Sequence, residues 1–426
     1  MKAWTRPDVP RLAGFGPLPS VYDSSTQTVR EATPAVAPGE SSPVASLYVC
    51  GITPYDATHV GHAATFLGFD TLIRLWLDAG VQVRYVQNTT DVDDPLLERA
   101  ARDGTDWREL ATAQTELFRS DMQSLRILPP DHYVAVTEVV GEIAAAAHDL
   151  LTRGIAYPVD SENADQDLYF DSSADSSPWF LGQESRLDRV EMLELSAARG
   201  GDPDRVGKRD ALDPLLWRSE RVGEPSWDTV LGRGRPGWHI ECSVIALNYL
   251  PSPITVNGGG SDLIFPHHEY SAGHAAALTG EPLADIYAHA GMVAFEGEKM
   301  SKSLGNLVLV STLVAAGTDP RLIRLALLSE HYRSDWEWAT RHLEAAAVRL
   351  ATWTTWAASA TEPAVFSAPF ETGDTLTARL RRILSQDLDT PGAVRDIDEW
   401  IADDNAATPA DIAAIDALLG IRLLET

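Results

Sequence analysis

The chain has 426 residues, 44% of them apolar and 23% charged, with 34 Lys plus Arg against 62 Asp plus Glu and a formal charge of −28. That length supports more than one buried core; no run approaches the roughly 18 apolar residues of a membrane span, and the N-terminus lacks a signal peptide's apolar segment, so a cytoplasmic chain without membrane contact is expected. Two cysteines, Cys50 and Cys242, exclude a disulfide scaffold, and the acidic balance excludes broad attraction to nucleic acid or anionic membrane.

Residues 1–44 are rich in Pro, Ser, Thr and Gly and read as an extended lead-in with room for one short strand. Order is expected from Leu47-Tyr48-Val49, a β-prone run, followed by a turn-rich stretch from Cys50 to Asp56. Phe69, Ile73, Trp76 and Leu77 then recur at helical spacing between about His62 and Ala79, closed by Gly80, and Val81 to Val86 alternates like a strand. Strand, crossover helix and strand make the building block of a parallel α/β sheet. Trp107 to Arg153 reads as helical, and 154–215 as irregular and acidic. Sheet-like material resumes at Ile254-Thr255-Val256 and near Met292-Val293. Beyond about Asp319 the pattern is helical, with Pro363, Pro369, Pro391 and Pro409 as breaks, and no internal repeat is found.

Three constellations could carry chemistry. The first is Thr58-His59-Val60-Gly61-His62, where the first strand turns into its helix. Helix N-terminal amides favour a phosphate, Gly61 admits close approach of a ligand, and two imidazoles can donate to phosphate oxygens. A bare His-x-Gly-His is weak by itself. It gains weight from Lys299-Met300-Ser301-Lys302-Ser303, 237 residues beyond His62, because the chain has only four lysines (Lys2, Lys208, Lys299 and Lys302) and spends two of them there. A compact, flexible ammonium suits a phosphate that moves during reaction.

The second constellation combines Cys50, Cys242 and His267. A gap of 192 residues between the cysteines is no zinc-finger spacing, and on spacing alone two small buried hydrophobes are the better reading. The third is the turn Gly258-Gly259-Gly260-Ser261-Asp262, suited to close approach of a nucleoside with Asp262 near ribose hydroxyls; by itself it is only a turn. Asp91, Asp93 and Asp94 are either acceptor contacts or a solvated acidic loop.

The paired His-x-Gly-His and Lys-Met-Ser-Lys-Ser motifs resemble the signatures of class I aminoacyl-tRNA synthetases. Tyr48 to Thr53, Gly237 to Ser243 and Gly258 to Glu269 resemble cysteinyl-tRNA synthetases in particular. The resemblance implies a class I synthetase-type Rossmann parallel sheet spanning 45–318, with an inserted connective region at about 107–215 and a C-terminal helical domain at 319–426. It also implies that His59, His62, Lys299 and Lys302 act on the phosphates of ATP, with Mg²⁺. Cys50, Gly51, Ile52, Thr53, Thr65, Asn88, Thr89, Thr90, Trp238, Gly260, Ser261, Asp262 and Val293 would contact the aminoacyl-adenylate. One zinc per chain would be held by Cys50, Cys242 and His267. The fourth ligand of that family falls here on Ser271, a poor ligand, which leaves a tetrahedral position for the substrate sulfur.

Several departures point away from tRNA. His62-Ala63-Ala64 lacks the Arg common after the motif, Pro54 replaces a usual Val, and Thr340 to the C-terminus carries 7 Arg, no Lys and 14 Asp plus Glu, net −7. Such a tail is poorly suited to phosphate backbones. With Cys50-Gly51-Ile52-Thr53-Pro54-Tyr55-Asp56-Ala57-Thr58-His59 and the loop Arg199-Gly200-Gly201-Asp202-Pro203, preceded here by Ala198 where Glu is usual, these features resemble an offshoot, the mycothiol-pathway cysteine ligases. That resemblance implies an ATP-dependent, AMP-forming ligase joining L-cysteine to the amine of glucosaminyl-inositol, a monomer with small-molecule partners and no nucleic acid. A compact cysteinyl-tRNA synthetase and a non-catalytic zinc- or thiol-binding regulator are the alternatives. The sequence does not show the acceptor pocket.

Overall fold

The computed structural model describes residues 1–36, 42–55, 58–161, 165–295, 298–299, 307–360 and 375–424. At Lys299 the description is of the backbone alone, and Lys302 lies outside the described residues.

Five parallel strands form the central sheet, in the spatial order Tyr287–Ala290, Val256–Gly260, Val44–Val49, Gln82–Thr89, His132–Ala135. Parallel strands are buried on both faces, and the alternation here divides Val44–Val49 between two cores. Leu47 and Val49 join one apolar cluster, while Tyr48 and the following Cys50 join the other. From Val44–Val49 the chain moves first to one side of the sheet and later to the other. The strand order therefore reverses between Val44–Val49 and Val256–Gly260, and ligands of open α/β sheets bind at the carboxyl ends beside such a reversal. The crossover helix Val60–Asp78 ends as expected, with Gly80 in the left-handed region at φ +77°.

Two expected segments differ. His132–Ala135 lies inside the stretch 107–153 that reads as helical, because four residues between the helices Trp107–Ser124 and Val140–Thr152 give too little period-2 pattern to stand out. It also places part of the region expected as an insertion, about 107–215, at the edge of the central sheet. Residues 154–215, expected to be irregular, contain strands of a second, antiparallel sheet in the order Ala156–Asp160, Gln166–Phe170, Leu215–Ser219, Gly232–Pro236, Trp227–Thr229. Its acidic residues mislead because some are buried and paired; Asp167 accepts from Arg221 at 2.8 Å and from Arg205 at 3.0 Å.

The lead-in is docked rather than loose. The Trp4 indole donates to Ile127 O at 2.7 Å, and the hairpin Ser20–Asp23/Thr28–Glu31 lies against the edge strand, with Tyr287 N donating to Asp23 Oδ1 at 3.0 Å. Beyond Asp319 come helices Pro320–Leu328, Thr340–Ala358, Leu376–Leu384, Thr390–Ala402 and Pro409–Leu419. Pro391 and Pro409 open their helices instead of breaking them, since a first-turn residue has no intrahelical N–H to lose. A short strand, Trp336–Trp338, pairs in parallel with Val293–Phe295. The helical part is bound to the crossover helix Val60–Asp78 through a buried charge group. Asp70 accepts from Arg74 at 2.8 Å and from Arg324, while Arg324 donates to Leu419 O at 2.6 Å and Arg74 to Ala417 O at 3.1 Å. Both guanidiniums thus meet carbonyls at the C-terminal end of the last helix, where positive charge is favourable.

Candidate active site

Cys50 stands at the carboxyl end of the central strand Val44–Val49, and its backbone N–H donates to Gly258 O at 3.0 Å. Cys242 sits one turn into the helix Trp238–Tyr249, which packs over the sheet, and His267 comes from the turn Ile264–His268. Three distant segments thus converge. The two thiols are free and 3.7 Å apart, and the ligating atoms of Cys50, Cys242 and His267 all lie within 4.8 Å of one another. All three residues are buried.

Zinc–sulfur bonds of about 2.3 Å at a tetrahedral angle place two thiolates about 3.8 Å apart, so the observed spacing fits that metal. Burial, with added depression from the neighbouring imidazoles of His239, His268 and His274, holds His267 well below the usual histidine range, leaving it the neutral ring that a metal requires. Burial and then Cys242 push the Cys50 thiol up. The Ser271 hydroxyl donates to His239 O at 3.1 Å. Glu269 turns the other way and accepts from Gly182 N at 2.9 Å, Ser185 N at 2.7 Å and the Trp179 indole at 3.0 Å, tying the loop 179–185 to the helix Glu269–Thr279.

Neighbouring groups orient this trio. Trp238 stacks on His267 with ring centroids 4.5 Å apart, and His239 Nδ1 lies 3.1 Å from His267 Nδ1. His268 Nε2 is 3.2 Å from Cys50 Sγ. Sequence reasoning did not assign His239 or His268 a role, although Trp238-His239 and the doublet His267-His268 were visible signals.

The turn after Cys50 is fastened to the next strand's end. Gly51 N donates to Asn88 Oδ1 at 2.8 Å, Asn88 Nδ2 to Thr90 Oγ1 at 3.1 Å, and Thr90 N to Ile52 O at 3.0 Å. A Cβ on Gly51 would stand 1.7 Å from Asn88 O, so only glycine fits. Thr89 is buried beside these residues and Thr53 is half-buried. Thr65 donates to Gly61 O at 3.2 Å, within its own helix.

The phosphate end is built from the helix start. His59 is the N-cap, accepting from Gly61 N at 3.1 Å, and its ring stacks on His62 at 3.9 Å. The chain on either side of Lys299–Lys302 returns to this point: a Cβ on Gly61 would come within 3.8 Å of Val293, and Val60 N donates to Val308 O at 2.9 Å. Gly260, Ser261 and Asp262 follow the strand Val256–Gly260 across the reversal from Cys50, and Gly258 is pressed against Phe69. Arg199, which opens the Arg-Gly-Gly-Asp-Pro loop, donates to the carbonyls of Asp262 and Phe265 and so clamps this floor from the second sheet. Asp91 and Asp93 are half-buried and bonded, whereas Asp94 is exposed at the start of a helix. Asp91 accepts from Thr137 N at 3.0 Å, Asp93 caps the helix Asp94–Asp103 with its carboxyl pushed up to about 6 by burial, and Asp94 pairs with Arg218 at 2.8 Å.

The family described as "tRNA synthetases class I (C) catalytic domain" matches residues 37–348. An L-cysteine:1D-myo-inositol 2-amino-2-deoxy-alpha-D-glucopyranoside ligase of Clavibacter michiganensis is 61% identical, the match covering 99% of each chain. Proteins of the same name from Nakamurella multipartita and Mycolicibacterium smegmatis are each 52% identical; the first match covers 100% of both chains, the second 99% of this chain and 100% of the relative. Among solved structures, Mycobacterium tuberculosis methionyl-tRNA synthetase bound by methionyl-adenylate has a TM-score of 0.57 at 16% identity, covering 88% of each chain, a likeness of fold. The chain belongs to the class I (C) tRNA synthetase catalytic-domain family and, within it, to the group of L-cysteine:1D-myo-inositol 2-amino-2-deoxy-alpha-D-glucopyranoside ligases.

Proposed function

We propose that this chain is an AMP-forming ligase that activates L-cysteine with ATP and transfers it to the amine of 1D-myo-inositol 2-amino-2-deoxy-α-D-glucopyranoside, the two substrates for which its relatives are named as ligases. The observation that carries the reading is the convergence of Cys50, Cys242 and His267 at the strand reversal, beside the helix start that carries His59 and His62. These three residues would hold zinc, with Nε2 of His267 the nitrogen left for the metal because Nδ1 faces His239. Bound there, zinc would supply a soft cation that binds the substrate's sulfur as thiolate and so separates cysteine from serine, a distinction that size alone makes poorly.

The remaining residues divide the work by position. ATP would place its nucleoside along Gly260–Asp262 and Val293 and its phosphates at the start of the helix Val60–Asp78, with Mg²⁺ carried by the nucleotide. Asn88, Thr89 and Thr90 would border the bound cysteine, whose carboxylate oxygen attacks the α-phosphorus as pyrophosphate leaves. His59, His62, Lys299 and Lys302 would donate to the phosphate oxygens as charge builds on the leaving group, each group worth about 2.7–4 kcal/mol in comparable sites. The acceptor's neutral amine then attacks the cysteinyl carbonyl; AMP leaves, one proton is lost, and an amide forms.

The acidic C-terminal part supports a small-molecule acceptor. Beyond Thr340 it carries a net charge of −7, and Arg74 and Arg324 spend their charge inside the protein on Asp70 and on helix-end carbonyls. The test is acceptor-dependent release of AMP from ATP and cysteine. Turnover with glucosaminyl-inositol and none with tRNA is expected, and cysteinylation of tRNA alone would overturn the reading.

A further inference from the structure

A line of buried side chains runs from the metal-side thiols to the N-terminal hairpin. His268 Nε2 lies 3.2 Å from Cys50 Sγ, His268 Nδ1 lies 2.8 Å from His289 Nε2, and His289 Nδ1 lies 2.7 Å from Ser24 Oγ. The two imidazoles come from different elements, the turn Ile264–His268 and the edge strand Tyr287–Ala290, and Ser24 immediately follows the strand Ser20–Asp23. Ser24 is itself seated on the sheet edge, its N–H donating to Tyr287 O at 2.9 Å. His268 and His289 are buried. A neutral imidazole has one N–H and one lone pair, so every contact in the line fixes the direction of the next.

We infer that Ser24, His289 and His268 form a directed hydrogen-bond relay that supplies an N–H to the sulfur of Cys50 and positions it as a metal ligand. This rests on the metal reading above. A metal-bound Cys50 is a thiolate and accepts only, so His268 must present Nε2–H to it. His268 Nδ1 then carries the lone pair and accepts from His289 Nε2–H. His289 Nδ1 in turn accepts from the Ser24 hydroxyl, a group that donates by rotating and sits half-buried at the end of the line. The opposite hand would set a lone pair of His268 against a lone pair of the thiolate.

His268 is thus a positioning residue and not a ligand. Its two nitrogens are already committed, and the metal-ligating group found among the described residues is Cys50, Cys242 and His267. The charge balance gives the relay a purpose. Two thiolates and a neutral imidazole cancel the charge of a divalent cation, and a third thiolate from the substrate leaves the buried centre at −1. An N–H directed at Cys50 Sγ draws off part of that excess.

The decisive readout is the protonation pattern of His268 in the zinc-loaded protein, read from two-bond ¹H–¹⁵N correlations of the imidazoles, with His268→Gln to assign the signal. A proton on Nε2 is expected. A proton on Nδ1, or an Nε2 bound to the metal, overturns the relay while leaving the metal reading intact. In parallel, zinc loss to a chromogenic chelator should be about 10–100-fold faster in His268→Ala, the usual cost of removing an outer partner. It should be faster by a smaller factor in Ser24→Ala, and His268→Gln, which keeps an N–H, should recover much of the loss. Release from His268→Ala at the wild-type rate overturns the relay alone. A wild-type protein that binds no zinc overturns the metal reading and the relay with it.

Discussion

The two ends of the candidate site are built on opposite principles. At the thiol end the groups are side chains held by others: buried Cys50, Cys242 and His267 are brought together from three segments and backed by buried His268 and half-buried Trp238 and His239. At the phosphate end the described parts are chiefly backbone, namely a helix start capped by His59, a glycine at position 61, and two chain ends anchored beside it. Selection of a sulfur requires fixed geometry, because discrimination resides in one atom. Phosphates are recognised by amides and charges that need only converge, so less of that end has to be assembled from the core.

Substitutions at the two ends should therefore fail differently. Cys242→Ser is expected to give the largest effect, a loss of bound zinc and a fall of about 1000-fold or more in cysteine-dependent ATP–pyrophosphate exchange, beyond the roughly 10–100-fold cost of losing an outer partner. The preference for cysteine over serine should collapse with it; exchange at the wild-type rate would contradict the ligand set. Lys302→Ala is expected to lower exchange by about 100–1000-fold with zinc content and melting temperature unchanged. Loss of zinc in that variant would erase the contrast between the ends.

Gly51→Ala tests how tightly the thiol end is fastened to the neighbouring strand. The added Cβ would fall 1.7 Å from Asn88 O, so a loss of about 1–3 kcal/mol in denaturant unfolding is expected. The smallest effect concerns Glu184, whose backbone N–H donates to Glu269 Oε2 at 3.1 Å. Burial, and then Glu269, push the Glu184 carboxyl up to about 8. The folded chain therefore keeps a proton that the unfolded chain gives up above about pH 4.5, so this contribution is complete below that value and is lost as pH rises through 8. Glu184→Gln should remove a decline on the order of 1–2 kcal/mol between about pH 6 and 8, measured as unfolding free energy against pH. A variant with the wild-type slope would place the titration elsewhere.

What could be read from the residues follows the same division. The strand–helix–strand unit is visible because Phe69, Ile73, Trp76 and Leu77 repeat at helical spacing and Gly80 ends the helix at positive φ. The trio of metal-side residues is legible only through resemblance, since 192 residues separate the cysteines and no local period joins them. His268 was masked by its neighbour: two adjacent histidines look alike in sequence, and only the fold shows that one belongs with the metal group while the other meets Cys50 and His289. The second sheet escaped because buried pairs such as Asp167 with Arg205 and Arg221 give a strand the composition of a loop. Asp70 is another case, a charge in mid-helix whose partner Arg324 lies 254 residues away.

The most direct measurement is the metal content of the purified chain together with its adenylation of cysteine and serine before and after chelation. One zinc per chain, and a cysteine preference that disappears on chelation and returns with zinc, is the predicted result. A metal-free chain that still adenylates cysteine in preference to serine would contradict it.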